Sequence, residues 1–158
     1  MKESLVAYFS ASGVTAQLAN RLAQAVGADV FAIIPQTLYT QADLDWTDKK
    51  SRSTLEMQDK TSRPPLAHPV PDISKYEIVF IGFPIWWYRE PSIIDTFVEA
   101  CRFNGQTVVP FATSGGSGLG DAAKNIQALA PQAIVKEGKL WSRNTGTAEL
   151  KPWAQEYL

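Results

Sequence analysis

The run Ser10-Ala-Ser-Gly-Val-Thr15 is the stretch of this chain best equipped for chemistry. It follows the apolar residues Leu5-Val-Ala-Tyr-Phe9 and opens a helical pattern from Val14 to Val26. A strand, a short turn and a helix N-terminus in succession make an anion site. The first N–H groups of a helix have no partner inside it, and the aligned peptide dipoles favour negative charge. Ser10, Ser12 and Thr15 add hydroxyls, and Gly13 lets the main chain approach a ligand closely. A phosphate suits this set. The loop has no lysine and the chain has no G-x-x-x-x-G-K-[ST] pattern, which disfavours ATP with magnesium. A G-x-G-x-x-G turn with its acidic ribose ligand is also missing.

Two further loops offer complementary chemistry. Pro84-Ile-Trp-Trp-Tyr-Arg-Glu-Pro91 is rich in large rings, and its flanking prolines mark it as loop. Trp86, Trp87 and Tyr88 cannot all face one core, so at least one ring is expected to be exposed or to cover a ligand. Thr113-Ser-Gly-Gly-Ser-Gly-Leu-Gly120 carries four glycines in six residues, a composition that suits close backbone approach. An anion cradle, an aromatic wall and a glycine-rich backbone together suit a flat aromatic ligand bearing one phosphate. Taken singly, each loop also reads as ordinary turn, cap or core filler.

The elements that must position these loops follow from the apolar pattern. Short runs recur at Leu5–Phe9, Val30–Ile34, Ile78–Phe83, Val108–Ala112 and, weakly, Ala133–Val135. They are near-continuous, as parallel strands covered on both faces should be. Helical stripes fall between them: Leu18, Leu22 and Val26 with Gly27 as the stop, then Ile94, Phe97, Val98 and Cys101, then Ile126 and Leu129 before Pro131. This alternation predicts a doubly wound α/β sheet. All three loops then lie at strand C-termini, where open sheets of this kind bind ligands. The polar segment from Leu38 to Asp72 exceeds a minimal unit, and a helix is expected around Asp48–Lys60 followed by a Pro-rich return. Pro110 inside a central run calls for a bulge or a local edge.

With these residues in view, the chain resembles the flavodoxin-like superfamily through nearly its whole length. Ser10-Ala-Ser-Gly-Val-Thr15 resembles the flavodoxin phosphate loop, of the form hydroxyl-x-hydroxyl-Gly-x-Thr. Gly82-Phe-Pro-Ile-Trp-Trp87 and Thr113-Ser-Gly-Gly-Ser-Gly118 resemble the ring-binding loops of a bacterial flavodoxin-like branch. The resemblance implies one domain spanning 1–158, a three-layer five-stranded parallel sheet in the order 2-1-3-4-5, and non-covalently held FMN. Carried over by position, Ser10, Ser12, Gly13, Val14 and Thr15 hold the phosphate. Pro84, Ile85, Trp86, Trp87 and Tyr88 meet the ring and ribityl chain, and Thr113, Ser114, Gly115, Gly116 and Gly118 present backbone donors to the pyrimidine end. Val14 stands where flavodoxins often have asparagine, a departure of little consequence if only its N–H is used.

Composition narrows the partners. The chain has 158 residues, 45% hydrophobic and 20% charged, and a formal net charge of −1. That is the size of one domain, without the basic excess of a nucleic-acid binder or the acidic surface of an electron shuttle. One cysteine excludes an internal disulfide and suits a cytoplasmic setting. No signal-peptide pattern or membrane-length apolar run is evident. Cys101 reads as a buried inert thiol, and His68 lacks a nearby nucleophile to activate. Asp43, Asp45 and Asp48 match no calcium loop, and no G-x-S-x-G motif occurs. Arg89 and Glu90 are expected to form a solvated charge pair.

The leading functional expectation is an FMN-binding oxidoreductase, reduced by a nicotinamide cofactor or a redox-protein donor and reoxidised by a small acceptor such as a quinone. The alternatives are a flavodoxin proper, carrying single electrons between proteins, and a flavin-free binding domain on the same fold. The exposed aromatics would serve a dimer contact as readily as a substrate pocket.

Overall fold

Five apolar runs and the helices between them assemble as the alternation requires. The computed structural model describes residues 2–113 and 118–158. In chain order the elements are β1 (Ser4–Tyr8), α1 (Val14–Val26), β2 (Asp29–Ala32), α2 (Arg52–Gln58), β3 (Ile78–Pro84), α3 (Ser92–Ala100), β4 (Thr107–Thr113), α4 (Ala122–Leu129), β5 (Ile134–Val135), β6 (Lys139–Trp141) and α5 (Thr147–Gln155). The strands are parallel and lie in the order β2-β1-β3-β4-β5, as expected, while β6 also pairs with β4.

Strand alternation sorts the core into two layers. Leu5, Ala7, Val79, Ile81, Phe83, Val108 and Ala112 point to one face, where α3 and α4 cover them with Ile94, Phe97, Val98 and Ile126. Val6, Ile78, Phe80, Val109 and Phe111 point to the other, beneath Leu18 and Leu22 of α1 and Leu150 and Ala154 of α5. Both faces are therefore dry, which is why the runs read as continuous rather than alternating. Full burial of each Val, Leu, Ile or Phe side chain among them contributes about 1.5–3 kcal/mol.

Pro110 finds the local edge its chemistry demands. Its carbonyl, like those of Gln106 and Val108, points to the outer side of β4, where Ile134 and Lys136 donate to the latter two. There β5 pairs only with Thr107 and Val108, and β6 only with Phe111 to Thr113. The proline ring nitrogen faces the gap between β5 and β6, so no ladder bond is lost.

The Leu38–Asp72 segment is tied down. Pro35 and Leu66 form an antiparallel bridge, with Gln36 N–H donating to Pro65 O and Ala67 N–H to Ile34 O. The helix expected around Asp48–Lys60 is shorter, Arg52–Gln58, and starts where the Ser51 side chain accepts from Thr54 N–H. Ahead of it, Asp45 and Asp48 accept from the N–H groups of Thr47 and Lys50. Such local side-chain bonds close turns and compete with the helix.

Candidate functional site

The parallel register brings the C-terminal ends of β1, β3 and β4 side by side. Tyr8 sits opposite Gly82, and Pro84 sits opposite Thr113. The sheet winds one way from β1 to β2 and the other way from β1 to β3, so this end is the topological switch point.

The first loop closes on itself. Ser10 Oγ accepts from Gly13 N–H at 3.0 Å, and Gly13 takes a left-handed φ of 94° that an L side chain would strain. Gly13 is the N-cap of α1 and brings no side-chain cap, which leaves the first-turn N–H groups without a side-chain acceptor. Thr15 is buried and its hydroxyl lies 2.8 Å from that of Thr113, which joins the first loop to the end of β4. Ser12 is exposed and Val14 half-buried at the mouth of the groove described below.

The aromatic loop continues the sheet for one residue, Ile85 N–H donating to Thr113 O, and then reverses. Trp86 and Arg89 exchange both backbone hydrogen bonds around a two-residue turn, in which Trp87 and Tyr88 have φ of 48° and 62°. The three rings separate as expected. Trp86 packs edge-on against Phe9 and Tyr39, at 5.6 and 5.4 Å between centroids. Trp87 and Tyr88 stand out, 40% and 70% exposed. In the third loop, Ser114, Gly115 and Gly116 lie outside the described residues. Gly118 is exposed with open space around it, and Asp121 N–H donates to Tyr88 O, tying this loop to the aromatic turn.

A groove of about 450 Å³ opens at the switch point, lined by Ser12, Val14, Pro84, Ile85, Thr113, Ser142 and Arg143. It unites residues of all three expected loops. Ser10, Gly13, Thr15, Trp86, Trp87, Tyr88 and Gly118 stand outside its lining, the first three as the frame of the first loop. Ser142 and Arg143 had no place in the sequence expectation. They follow β6, and Arg21 of α1 anchors their loop by donating to Arg143 O at 3.0 Å and Thr145 O at 3.3 Å. The signal was a polar Ser142-Arg-Asn-Thr-Gly146 run directly after Leu140-Trp141, another strand C-terminus.

Arg89 and Glu90 correct the expectation of a solvated pair: they are 5% and 0% exposed. Arg89 Nη2 donates to Met57 O of α2 and Nη1 to Glu90 O, while its guanidinium lies 3.7 Å from Glu90 Oε2 and 3.6 Å from Asp95 Oδ2. Glu90 Oε1 accepts from Asn125 Nδ2 of α4. Burial, together with the adjacent Asp95 carboxyl, pushes the Glu90 acid well above the usual range, and burial raises Asp95 too. Beside this cluster, Arg52 lies over the Tyr39 ring and Tyr39 donates to Glu56; burial and that carboxylate hold the phenol far above its ordinary value. Cys101 is buried, its thiol pushed up to about 12, which suits an inert residue.

Fold and groove together define a doubly wound α/β protein with an open groove at its β1/β3 switch point. The profile of the flavodoxin family matches residues 3–157, and the chain belongs to that family. A protein described as a flavoprotein from Bacteroides eggerthii is 45% identical, with a TM-score of 0.92 over 99% of this chain and 98% of that one. Another so described, from Bacteroides uniformis, is 44% identical, with a TM-score of 0.92 over 98% of each chain. A Lactobacillus acidophilus flavoprotein in complex with FMN shares the fold at 20% identity, with a TM-score of 0.70 over 98% of this chain and 99% of that one. No curated protein matches the chain. Among the described residues no helix is long and apolar enough to cross a membrane.

Proposed function

We propose that the groove binds FMN non-covalently and that the chain is an FMN-dependent oxidoreductase, taking electrons from NAD(P)H or a redox-protein donor and passing them to a small acceptor such as a quinone. The observation that carries this reading is the groove itself, which joins Ser12 and Val14 to Pro84, Ile85 and Thr113 at the switch point. Its volume lies in the range of small-molecule sites. The residues fit the cofactor. An uncapped helix N-terminus and the Ser12 hydroxyl suit a phosphate, and Pro84 and Ile85 offer an apolar wall. When bound, FMN supplies hydride and single-electron chemistry; the chain supplies orientation and electrostatics. A net charge of −1 favours a small acceptor over a strongly charged protein partner.

Purified protein mixed with FMN and passed through a desalting column should retain the visible flavin bands. Loss of all flavin at micromolar protein would remove the reading. Retention without turnover of NADH or NADPH against a quinone would leave a binder or carrier instead of an oxidoreductase.

Arg143 is the cation in the described groove lining. Its loop is pinned to α1, the helix that begins at the phosphate turn. We expect Arg143→Gln to weaken FMN binding about ten-fold or more, the scale of a hydrogen bond to a charged group, while riboflavin binding stays unchanged. Flavin fluorescence quenching with both ligands measures this. An equal loss for both would move Arg143 from the phosphate to the ring.

A further inference from the structure

We propose that Glu90 and Asp95 share one proton, donated from Glu90 Oε2 to Asp95 Oδ1, and that this pair makes Glu90 a positioning residue that fastens the Trp86–Arg89 turn to α3 and α4. The pairing follows from two orphaned atoms. Glu90 Oε2 and Asp95 Oδ1 are both buried without a hydrogen-bond partner. Ionised carboxylates only accept, so two of them together leave both oxygens unsatisfied. One proton between them satisfies both at once and removes the cost of each orphan.

The surroundings decide where the proton resides. Asp95 Oδ2 faces Arg89 at 3.6 Å and Arg63 at 3.8 Å, and two guanidiniums hold that carboxyl ionised. Glu90 is 0% exposed, and its Oε1 accepts from Asn125, a bond that a neutral carboxyl also makes. Charge balance agrees. The groups facing the pair are Arg89 beside it, Arg63 from the return of the long segment, and Glu99 one turn along α3, itself 2.6 Å from Arg63. With Asp95 and Glu99 negative and both arginines positive, a neutral Glu90 leaves the cluster balanced. An ionised Glu90 adds an uncompensated buried charge. The exposed Lys60 lines the adjoining cavity of about 150 Å³.

The cluster sits at a junction of the site. Glu90 follows the aromatic turn directly, Asp95 lies in the first turn of α3, and Asn125 lies on α4, which follows the glycine-rich loop. Arg89 carries the tie on to Met57 of α2. A charge appearing here therefore strains the connection between the two expected ring loops.

The sign of the pH dependence follows. Glu90 titrates near 4.5 when unfolded and is pushed up to about 9 in the fold, burial being the first cause and Asp95 the second. Between those values the native chain holds a proton that the unfolded chain has released, so the Glu90 contribution to stability falls as pH rises and levels off above the window. Urea unfolding of apo-protein from about pH 5 to pH 8, below the range where Cys101 and the tyrosines of the unfolded chain titrate, should show this decline in the wild type and lack it in Glu90→Gln. Glutamine keeps the geometry, since its carbonyl accepts from Asn125 and its amide donates to Asp95. Glu90→Ala should be destabilised throughout. Infrared difference spectra of apo-protein at neutral pH should contain a protonated-carboxyl band that Glu90→Gln lacks. A missing band, an unchanged slope in Glu90→Gln, or equal damage in the Gln and Ala variants would overturn the shared proton.

The positioning role rests on the FMN reading. FMN affinity should drop roughly ten-fold or more above pH 9 in the wild type and stay level in Glu90→Gln. A pH-independent affinity in the wild type would overturn that role. Apo-protein results as stated, with no FMN binding at any pH, would keep the proton pair and remove only the flavin reading.

Discussion

Gly120→Ala should cost about 3 kcal/mol or more in urea unfolding and should also impair flavin retention. Two independent penalties meet at this residue. Its φ of 57° is left-handed, a conformation that costs an alanine about 1–2 kcal/mol. An added Cβ would lie 1.8 Å from Tyr88 O, 2.7 Å from Tyr88 C and 3.2 Å from Tyr88 Cα, all main-chain atoms that cannot rotate away. Overpacking of this kind costs roughly 1–3 kcal/mol, and here it also threatens the bond from Asp121 N–H to Tyr88 O. Relief requires the aromatic turn to move, and Tyr88 moves with it. Gly118→Ala, two residues earlier with open space around it, should change stability little. Equal effects at the two positions would show that the turn and the glycine-rich loop are not in contact.

The contrast between those glycines also marks how far the sequence could be read. Local signals placed local structure well. Leu18, Leu22 and Val26 with Gly27 predicted α1 at its observed bounds, Val14–Val26. The dry strands announced themselves by continuous apolar runs because both sheet faces are covered. The edge strand was less legible: Val30–Ile34 was expected and β2 is Asp29–Ala32, since its register is set by pairing with Leu5 to Tyr8 and not by its own half-exposed residues. β6 and α5 lay beyond the expected elements. Pro152 interrupts the helical pattern of α5, although Leu150, Trp153, Ala154 and Tyr157 recur at helical spacing, with Leu150 and Ala154 fully buried.

Site residues divided along the same line. The three loops were readable because each follows an apolar run, and the switch-point rule then places strand C-termini together. Arg89 and Glu90 misled because adjacent opposite charges after an aromatic loop normally face water. Their burial depends on Met57, Asp95 and Asn125, which arrive from three separate elements. Arg143 is hidden for the same reason: β6 carries it to the groove from a segment with only a weak signal of its own. What the sequence hides, in both cases, is a contact between distant elements.

Replacing Trp87-Tyr88 by Asn-Gly should stabilise the protein while it weakens flavin binding. Both residues have positive φ, and the exchange of hydrogen bonds between Trp86 and Arg89 makes this a type I′ hairpin turn. That turn prefers Asn-Gly, and a left-handed conformation costs other L-residues roughly 1–2 kcal/mol each. Burial does not recover that cost within the chain, because the two rings remain 40% and 70% exposed. The turn follows Pro84 and Ile85 of the groove lining, and a role in binding would account for strain that the fold itself leaves uncompensated. The double variant should therefore gain about 1–3 kcal/mol in urea unfolding and lose at least about ten-fold in FMN affinity. A loss of stability would mean that the turn is not strained. Higher stability with unchanged FMN affinity would detach the rings from the cofactor and assign them to another surface, which sedimentation of the wild type and the variant would reveal as a difference in self-association. Stability and affinity moving in opposite directions is the outcome that a strained, ligand-facing aromatic turn requires.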